Sequence, residues 1–128
     1  MTMDIILSNS SSLPIYEQIA IQIKSQILNG NLDEGTLLPS IRNLAKDLRI
    51  SVITTKRAYE ELEREGYINT IPGKGTFIAA KNMEIIREEY LRHIEEHLRQ
   101  VMQLADFCSL GEDDIVMMYR LVREGDTY

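Results

Sequence analysis

The chain has 128 residues, enough for one well-packed core or for a small domain with a helical extension. Its single cysteine excludes a disulfide within the chain and indicates a reducing, cytoplasmic compartment. No apolar run reaches the length of a membrane-spanning helix, and the first residues lack the basic region of a signal peptide, so we expect no membrane partner.

The charge of the chain is unevenly distributed. The net charge is −6, which argues against a protein that binds nucleic acid over its whole surface. Residues 36–81, however, hold eight lysines and arginines against five acids, whereas residues 82–128 hold five arginines against eleven acids. Any contact with DNA should therefore be confined to the basic middle segment and should be sensitive to salt.

The first helix is predicted from an isoleucine every fourth residue: Ile15, Ile19, Ile23 and Ile27. Proline at position 14 suits a first turn, with Ser12 or Leu13 as the cap, and Asn29-Gly30 ends the helix. The short apolar run at residues 4–7 predicts either a strand or a strap over the core.

Two shorter helices and a hairpin follow. Ser40 and Ser51 are good N-caps for helices with apolar stripes, and the turn between them falls at Arg49. On the second of these helices, one side carries Thr55, Ala58, Tyr59 and Leu62, and another carries Ile53, Lys56, Arg57 and Glu60. Gly66 then ends that helix, and β-rich segments at 67–71 and 76–80 flank the turn Pro72-Gly73-Lys74-Gly75. This pattern predicts a winged helix-turn-helix, a mainly α fold with a small β-hairpin wing.

The remainder reads as a two-helix tail, with one helix from Met83 to about Cys108 and another from Glu112. We expect a DNA-binding domain at residues 1–81 and a dimerisation tail at 82–128, because the apolar faces of a lone helix pair need a partner. Cys108 lies in an apolar stretch and is expected to be a buried thiol. The predicted dimerisation residues are Tyr90, Leu91, Ile94, Leu98, Val101, Met102, Ile115, Met118, Tyr119 and Val122.

The combined motif over residues 13–80 resembles the GntR family of bacterial transcription regulators. It includes Leu13-Pro14-Ile15-Tyr16, Leu38-Pro39-Ser40 with Arg42, Glu65-Gly66, and Gly73-x-Gly75-Thr76-Phe77. The short helical tail is similar to that of the YtrA-type branch, which implies dimerisation through the tail. The resemblance implies DNA contacts by an arginine in the second helix, by the start of the third helix and by the wing. The corresponding residues are Ser40, Arg42, Ser51, Val52, Ile53, Thr54, Lys56, Gly73, Lys74 and Gly75.

Three positions depart from the family pattern. Ile41, Val52 and Thr55 stand where the family usually has Glu, Arg and Val. Val52 and Ile53 either pack on thymine methyl groups or are partly buried against the second helix, and both interpretations stay open. Thr55 is expected to face inward.

These features predict a cytoplasmic repressor that binds an inverted-repeat operator in double-stranded DNA as a homodimer. The alternative is a winged-helix module that binds another protein and not DNA. His93 and His97 have a spacing that can hold a metal, but surface or interface histidines are the preferred interpretation. No catalytic set or cofactor motif is found, so we predict neither an enzyme nor a cofactor, and a small-molecule effector at the tail remains open.

Overall fold

The computed structural model describes residues 3–80 and 83–125. The described residues divide into two compact units, with the boundary between Met83 and Glu84. The first unit contains α1 (Ile15–Leu28), α2 (Ile41–Leu48), α3 (Val52–Arg64), β1 (Ile68–Ile71) and β2 (Gly75–Ile78). The long helix α4 (Met83–Phe107) and then α5 (Glu112–Gly125) form the rest. The predicted mainly α fold with a small hairpin is confirmed.

The core of the first unit lies where α1 and α2 pack against α3. The isoleucine stripe of α1 contributes Ile19 and Ile23, both completely buried. Helix α3 contributes Thr55 and Leu62, which are also completely buried. The hairpin adds Ile68, also completely buried. Apolar residues that recur every three or four positions form one face of a helix. These faces pack together, so α1, α2 and α3 share one apolar core.

Side-chain caps fix where two helices begin. Ser40 Oγ accepts a hydrogen bond from the Asn43 N–H at 3.1 Å, and Ser51 Oγ accepts one from the Thr54 N–H at 3.1 Å. Both predicted caps are therefore confirmed. The predicted cap of α1 at Ser12 or Leu13 is wrong. Pro14 holds that position without a side-chain bond, and its carbonyl accepts the first backbone bonds of the helix.

The hairpin is supported on both sides of β2. The strands β1 and β2 pair antiparallel, with Ile68 opposite Ile78. On the other side of β2, Leu37 bridges to Phe77, and the Leu38 N–H donates to the Thr76 carbonyl at 2.8 Å. Strand β2 begins at Gly75, one residue earlier than predicted. The connector before α2 therefore anchors the hairpin.

Residues 4–8 form a strap along α1, not a strand. Gln22 both accepts from the Ile6 N–H at 2.8 Å and donates to the Ile6 carbonyl at 2.7 Å. Gln18 makes the same pair of bonds with Ser8, and Gln26 donates to the Asp4 carbonyl. Three glutamines, each four residues after the last, thus act as the pairing edge that a neighbouring strand would otherwise supply.

The second unit has almost no interior of its own. Among residues 84–125, Ala105 is the one buried residue. Cys108 is exposed, so the prediction of a buried thiol is wrong. Of the helices in the described part of the chain, none combines the length and apolar character that crossing a membrane requires.

Candidate nucleic-acid interface

The N-terminus of α3 is exposed and has free donors. The Ser51 hydroxyl accepts from the Thr54 N–H and donates to Thr54 Oγ1 at 2.7 Å, which leaves the Thr54 hydroxyl proton free for an outside acceptor. Within the described residues, the N–H groups of Val52 and Ile53 have no acceptor, as expected for the first turn of a helix. Free N–H groups at the positive end of a helix suit the binding of a phosphate oxygen.

Two apolar side chains stand at the same helix start. Ile53 is 80% exposed and Val52 is 46% exposed. The interpretation that Ile53 is partly buried against α2 is therefore wrong, whereas Val52 is about half covered. Thr55 is completely buried and donates its hydroxyl to the Ser51 carbonyl at 3.2 Å, which confirms that it faces inward.

Several cations of the first unit, on α2, in the turn after it and in the hairpin, have no acidic partner. Arg42, Lys46, Arg49 and Lys74 are exposed, and none of them forms an ion pair within residues 3–80. Lys56 differs, since its Nζ lies 3.9 Å from a Glu60 carboxylate oxygen one turn along α3. Unpaired cations are available to phosphates without first breaking a bond inside the protein.

The tip of the hairpin has a backbone that favours glycine. Gly73 has φ +78°, and a Cβ at this position would meet no atom within 4 Å, while Gly75 has φ +120°. The Lys74 N–H between them donates to the Ile71 carbonyl at 2.9 Å and closes the turn. Its exposed side chain is thus presented by a tight loop of small residues.

Two tyrosines hold the helices that carry these groups. The Tyr59 hydroxyl donates to the Pro39 carbonyl at 2.7 Å and so ties α3 to the residue before the α2 cap. Burial raises the pKa of the Tyr59 phenol, because the phenolate would lose its hydration. The sequence pattern placed Tyr59 on the same side of the helix as Ala58 and Leu62, and the contact of its hydroxyl with Pro39 had no local signal.

Arg57 is a second contact that the sequence did not indicate. Its guanidinium lies 3.9 Å from the centre of the Tyr16 ring, and Nη2 donates to the Tyr16 hydroxyl at 3.2 Å. A hydrogen bond with Glu17 raises the pKa of the Tyr16 phenol, while the charge of Arg57 acts in the opposite direction. Arg57 therefore links α3 to α1 through Tyr16 and is less available to DNA than the unpaired cations Arg42, Lys46, Arg49 and Lys74.

The predicted site residues fall into three groups on separate elements. Ser51 and Thr54 are joined by their own hydrogen bonds at the start of α3, beside Val52 and Ile53. Ser40 and Arg42 open α2, which packs on α3, and Gly73, Lys74 and Gly75 form the wing tip. Within the described part of the chain, no hydrogen bond or ion pair links one group to another.

The family of bacterial regulatory proteins named gntR matches this chain over residues 15–78. Among curated proteins, the HTH-type transcriptional repressor YtrA of Bacillus subtilis is 42% identical over 100 residues, covering 78% of this chain and 77% of that protein. The match therefore extends beyond the helix-turn-helix into the tail.

Solved structures share the fold. A transcriptional regulator from Oenococcus oeni has a TM-score of 0.69 at 28% identity, and the alignment covers 91% of this chain and 96% of that one. The DNA-binding domain of AraR, solved in complex with operator ORX1, has a TM-score of 0.54 at 26% identity. It aligns with 62% of this chain and 99% of its own.

Proposed function

The chain belongs to the GntR family of bacterial regulatory proteins and is a DNA-binding transcription regulator, and we propose that it acts as a homodimeric repressor in the cytoplasm. The observation that carries this proposal is the exposed start of α3, with its free N–H groups and two exposed apolar side chains, in a unit whose cations on α2 and the wing are exposed and unpaired within the described residues.

We place the N-terminus of α3 in the major groove of the operator. The free N–H groups of Val52 and Ile53 and the hydroxyl of Thr54 bind backbone phosphate, which positions the helix. Ile53 then reaches the base edges, where an exposed apolar side chain fits the methyl group of thymine. Arg42 binds guanine or phosphate through two parallel hydrogen bonds, as no carboxylate of the described chain competes for it.

The wing contributes charge and close approach. Gly73 at the tip has no side chain and the space where a Cβ would stand is open, so the backbone can lie directly against the sugar-phosphate edge of the minor groove. Lys74 adds a mobile cation that interacts with phosphates of any sequence. We assign the wing to affinity and the start of α3 to base preference.

We assign pairing with a second copy of the chain to the tail. Ile94, Leu98 and Met102 recur four apart on α4 and are 55%, 50% and 63% exposed. Tyr119 and Val122 of α5 are similarly exposed, at 57% and 61%. Fully burying an exposed side chain of this size contributes about 1.5–3 kcal/mol, and these side chains are already partly covered, so each contributes roughly half of that when an identical face covers it. Several such contributions together favour a dimer. A two-fold dimer presents two copies of α3 and therefore fits an inverted repeat whose half-sites are one or more DNA turns apart.

The relatives are consistent with this assignment. YtrA of Bacillus subtilis is named a transcriptional repressor, and the AraR domain was crystallised on its operator. A repressor acts by occupying its operator, which requires no further catalytic or activating surface on the protein. The operator of this chain can be identified by selecting bound sequences from a random duplex library.

Replacing Arg42 with alanine tests the DNA assignment. We expect Arg42→Ala to weaken binding to the selected operator about 5–150-fold in an anisotropy titration, because one bidentate contact is worth about 1–3 kcal/mol. The matched control is Arg64→Ala, which removes the same charge at the far end of α3, where Arg64 pairs with Glu61. Folding of both variants should be unchanged by circular dichroism.

The same titration separates the proposal from its alternative. A winged helix that binds only another protein would show no salt-dependent shift of any selected duplex. Equal operator affinities for Arg42→Ala, Arg64→Ala and the unchanged chain would remove Arg42 from the interface.

A further inference from the structure

The long helix α4 carries the two histidines of the chain four residues apart, and the DNA-binding function uses neither of them. We propose that His93 and His97, together with the same pair from a second copy, bind a divalent transition-metal ion, with zinc preferred. This inference rests on the homodimer proposed above and adds a ligand to its interface.

Both histidines lie on the face of α4 that we assign to dimerisation. They border a shallow hollow of about 310 Å³ whose other walls are apolar. Its lining consists of Tyr90, His93, Ile94, His97, Leu98 and Val101. A second copy that covers the apolar walls therefore also covers the two imidazoles, and it removes most water from around them.

One imidazole is already arranged as a metal ligand would be. His97 Nδ1 lies 2.7 Å from the carbonyl oxygen of His93. A carbonyl oxygen can only accept a hydrogen bond, so Nδ1 carries the proton and Nε2 keeps its lone pair in the neutral ring. Donation from the second ring nitrogen to a carbonyl is the usual way in which proteins orient a metal-binding histidine and fix its tautomer.

A single chain does not complete the site. Among the described residues, no group of three or more histidine, cysteine or acidic side chains is placed to hold a metal. Two histidines at positions i and i+4 on a helix provide two of the four ligands that zinc takes. The remaining two must come from outside the chain.

The histidine pair lies near the middle of α4, so two copies of α4 that overlap fully bring their two histidine pairs together. The helix spans the 25 residues Met83–Phe107, so its middle residue is Glu95, two residues from each histidine. Two copies of α4 that overlap fully have their symmetry axis at this midpoint when they run antiparallel, which places His93 of one copy opposite His97 of the other. When they run parallel, each histidine faces its own equivalent. Full overlap buries the most apolar surface, and both arrangements gather four imidazoles.

The chemistry favours a borderline divalent cation. Neutral imidazole nitrogens suit zinc, nickel and copper better than magnesium or calcium, which prefer oxygen ligands. Residues 82–128 hold five arginines against eleven acids, and this negative charge raises the local concentration of any cation. A bound ion would stabilise the dimer, since only the dimer has the complete site.

The test uses the full chain without a histidine tag. Equilibrium dialysis against ZnCl₂ should give one ion per two chains, and CoCl₂ should give the strong visible absorption of four-coordinate cobalt. Sedimentation should show ZnCl₂ lowering the dimer dissociation constant at least tenfold. His93→Ala and His97→Ala should each abolish these effects, whereas Gln103→Ala, an exposed polar residue of the same helix outside the hollow, should preserve them.

The outcomes separate the metal site from the dimer. A dimer that forms but binds no zinc, or that binds it equally after His93→Ala and His97→Ala, overturns the metal site and leaves the proposed function standing. A ratio of one ion per chain overturns the shared site. A chain that stays monomeric with and without zinc overturns the homodimer and the metal site together, while operator binding remains a separate measurement.

Discussion

The side chain of Ile53 is 80% exposed at the start of α3, where the family resemblance implies contact with bases. An isoleucine with that exposure contributes little to folding, so its replacement should act on DNA alone. We predict that Ile53→Ser removes a preference for thymine at one position of each half-site, because the hydroxyl cannot pack on the methyl group. Selection from random duplexes measures this preference.

Ile21 provides the matched control, since it is another isoleucine, 41% exposed, on α1. Ile21→Ser should select the same sequences as the unchanged chain. An identical base preference for Ile53→Ser and Ile21→Ser would show that Ile53 does not read the operator.

The protonation of Tyr59 is coupled to folding. Its phenol is buried and donates to the Pro39 carbonyl, and burial raises its pKa above the ordinary value of 10.0. A pKa that is raised in the folded state gives stability that is fully present below pH 10 and is lost as the pH rises towards the folded-state value. Stability should therefore fall on the alkaline side of pH 10.

We predict that Tyr59→Phe lowers the free energy of unfolding by about 1 kcal/mol at neutral pH, the usual net value of one buried hydrogen bond. It should also flatten the alkaline decline, as phenylalanine has no proton to lose. Urea unfolding between pH 7 and pH 11 tests both effects. An equally steep decline in the variant would mean that another group governs alkaline unfolding.

At the level of elements, the hairpin depends on two glycines for different reasons. A Cβ at Gly75 would lie 2.9 Å from Leu37 Cδ1, with φ at +120°, whereas a Cβ at Gly73 would meet no atom within 4 Å. We predict that Gly75→Ala destabilises the chain by about 1–3 kcal/mol and more than Gly73→Ala does. Urea unfolding of the two variants gives the comparison.

The double variant Gly75→Ala with Leu37→Ala isolates the contact. Removing the leucine side chain takes away the atom that the new methyl would meet, so part of the loss should be recovered. Additive losses in the double variant would mean that the backbone conformation alone, and not Leu37, requires glycine at position 75.

The elements also show which parts of the fold a sequence can predict. The caps at Ser40 and Ser51 were predictable, since each involves a hydrogen bond to a residue three positions later. The strap along α1 was not, because Gln22 bonds Ile6 across 16 residues and glutamine has no pattern that marks it as a partner for backbone. The stacking of Arg57 on Tyr16, 41 residues away, is equally nonlocal.

The candidate site divides in the same way. The candidate site residues could be named from the motif, because motif positions are local in sequence. The exposure of Ile53 could not be predicted, because it depends on how far α2 covers the start of α3. The exposure of Cys108 has a related cause. An apolar neighbourhood in sequence does not reveal whether the covering surface comes from the same chain or from another.

At the level of the whole molecule, the proposed function assigns DNA binding and self-association to separate units of the chain. Apart from Ala105, every buried apolar residue in the described part of the chain belongs to residues 3–80, so the first unit has a core without the tail. The tail carries an excess of acids and repels DNA, yet in the proposed dimer it also links two DNA-binding heads.

Truncation after Ala80 should therefore weaken specific binding far more than non-specific binding. Loss of the linkage should weaken binding to a complete inverted repeat by about 10²–10⁴-fold. For random duplex, loss of the acidic tail should offset part of the affinity that is lost when one head binds instead of two. The salt dependence on the operator should become about half as steep, since one head contacts half as many phosphates. Anisotropy titrations at several salt concentrations measure operator affinity, random-duplex affinity and salt dependence, and sedimentation establishes that the fragment is a monomer.

A second variant separates the loss of pairing from the loss of charge. Leu98→Asp in the full chain should reproduce the loss of operator affinity while all the acids of the tail stay in place. A truncated fragment that keeps the full operator affinity and salt dependence would show that the tail does not join the heads.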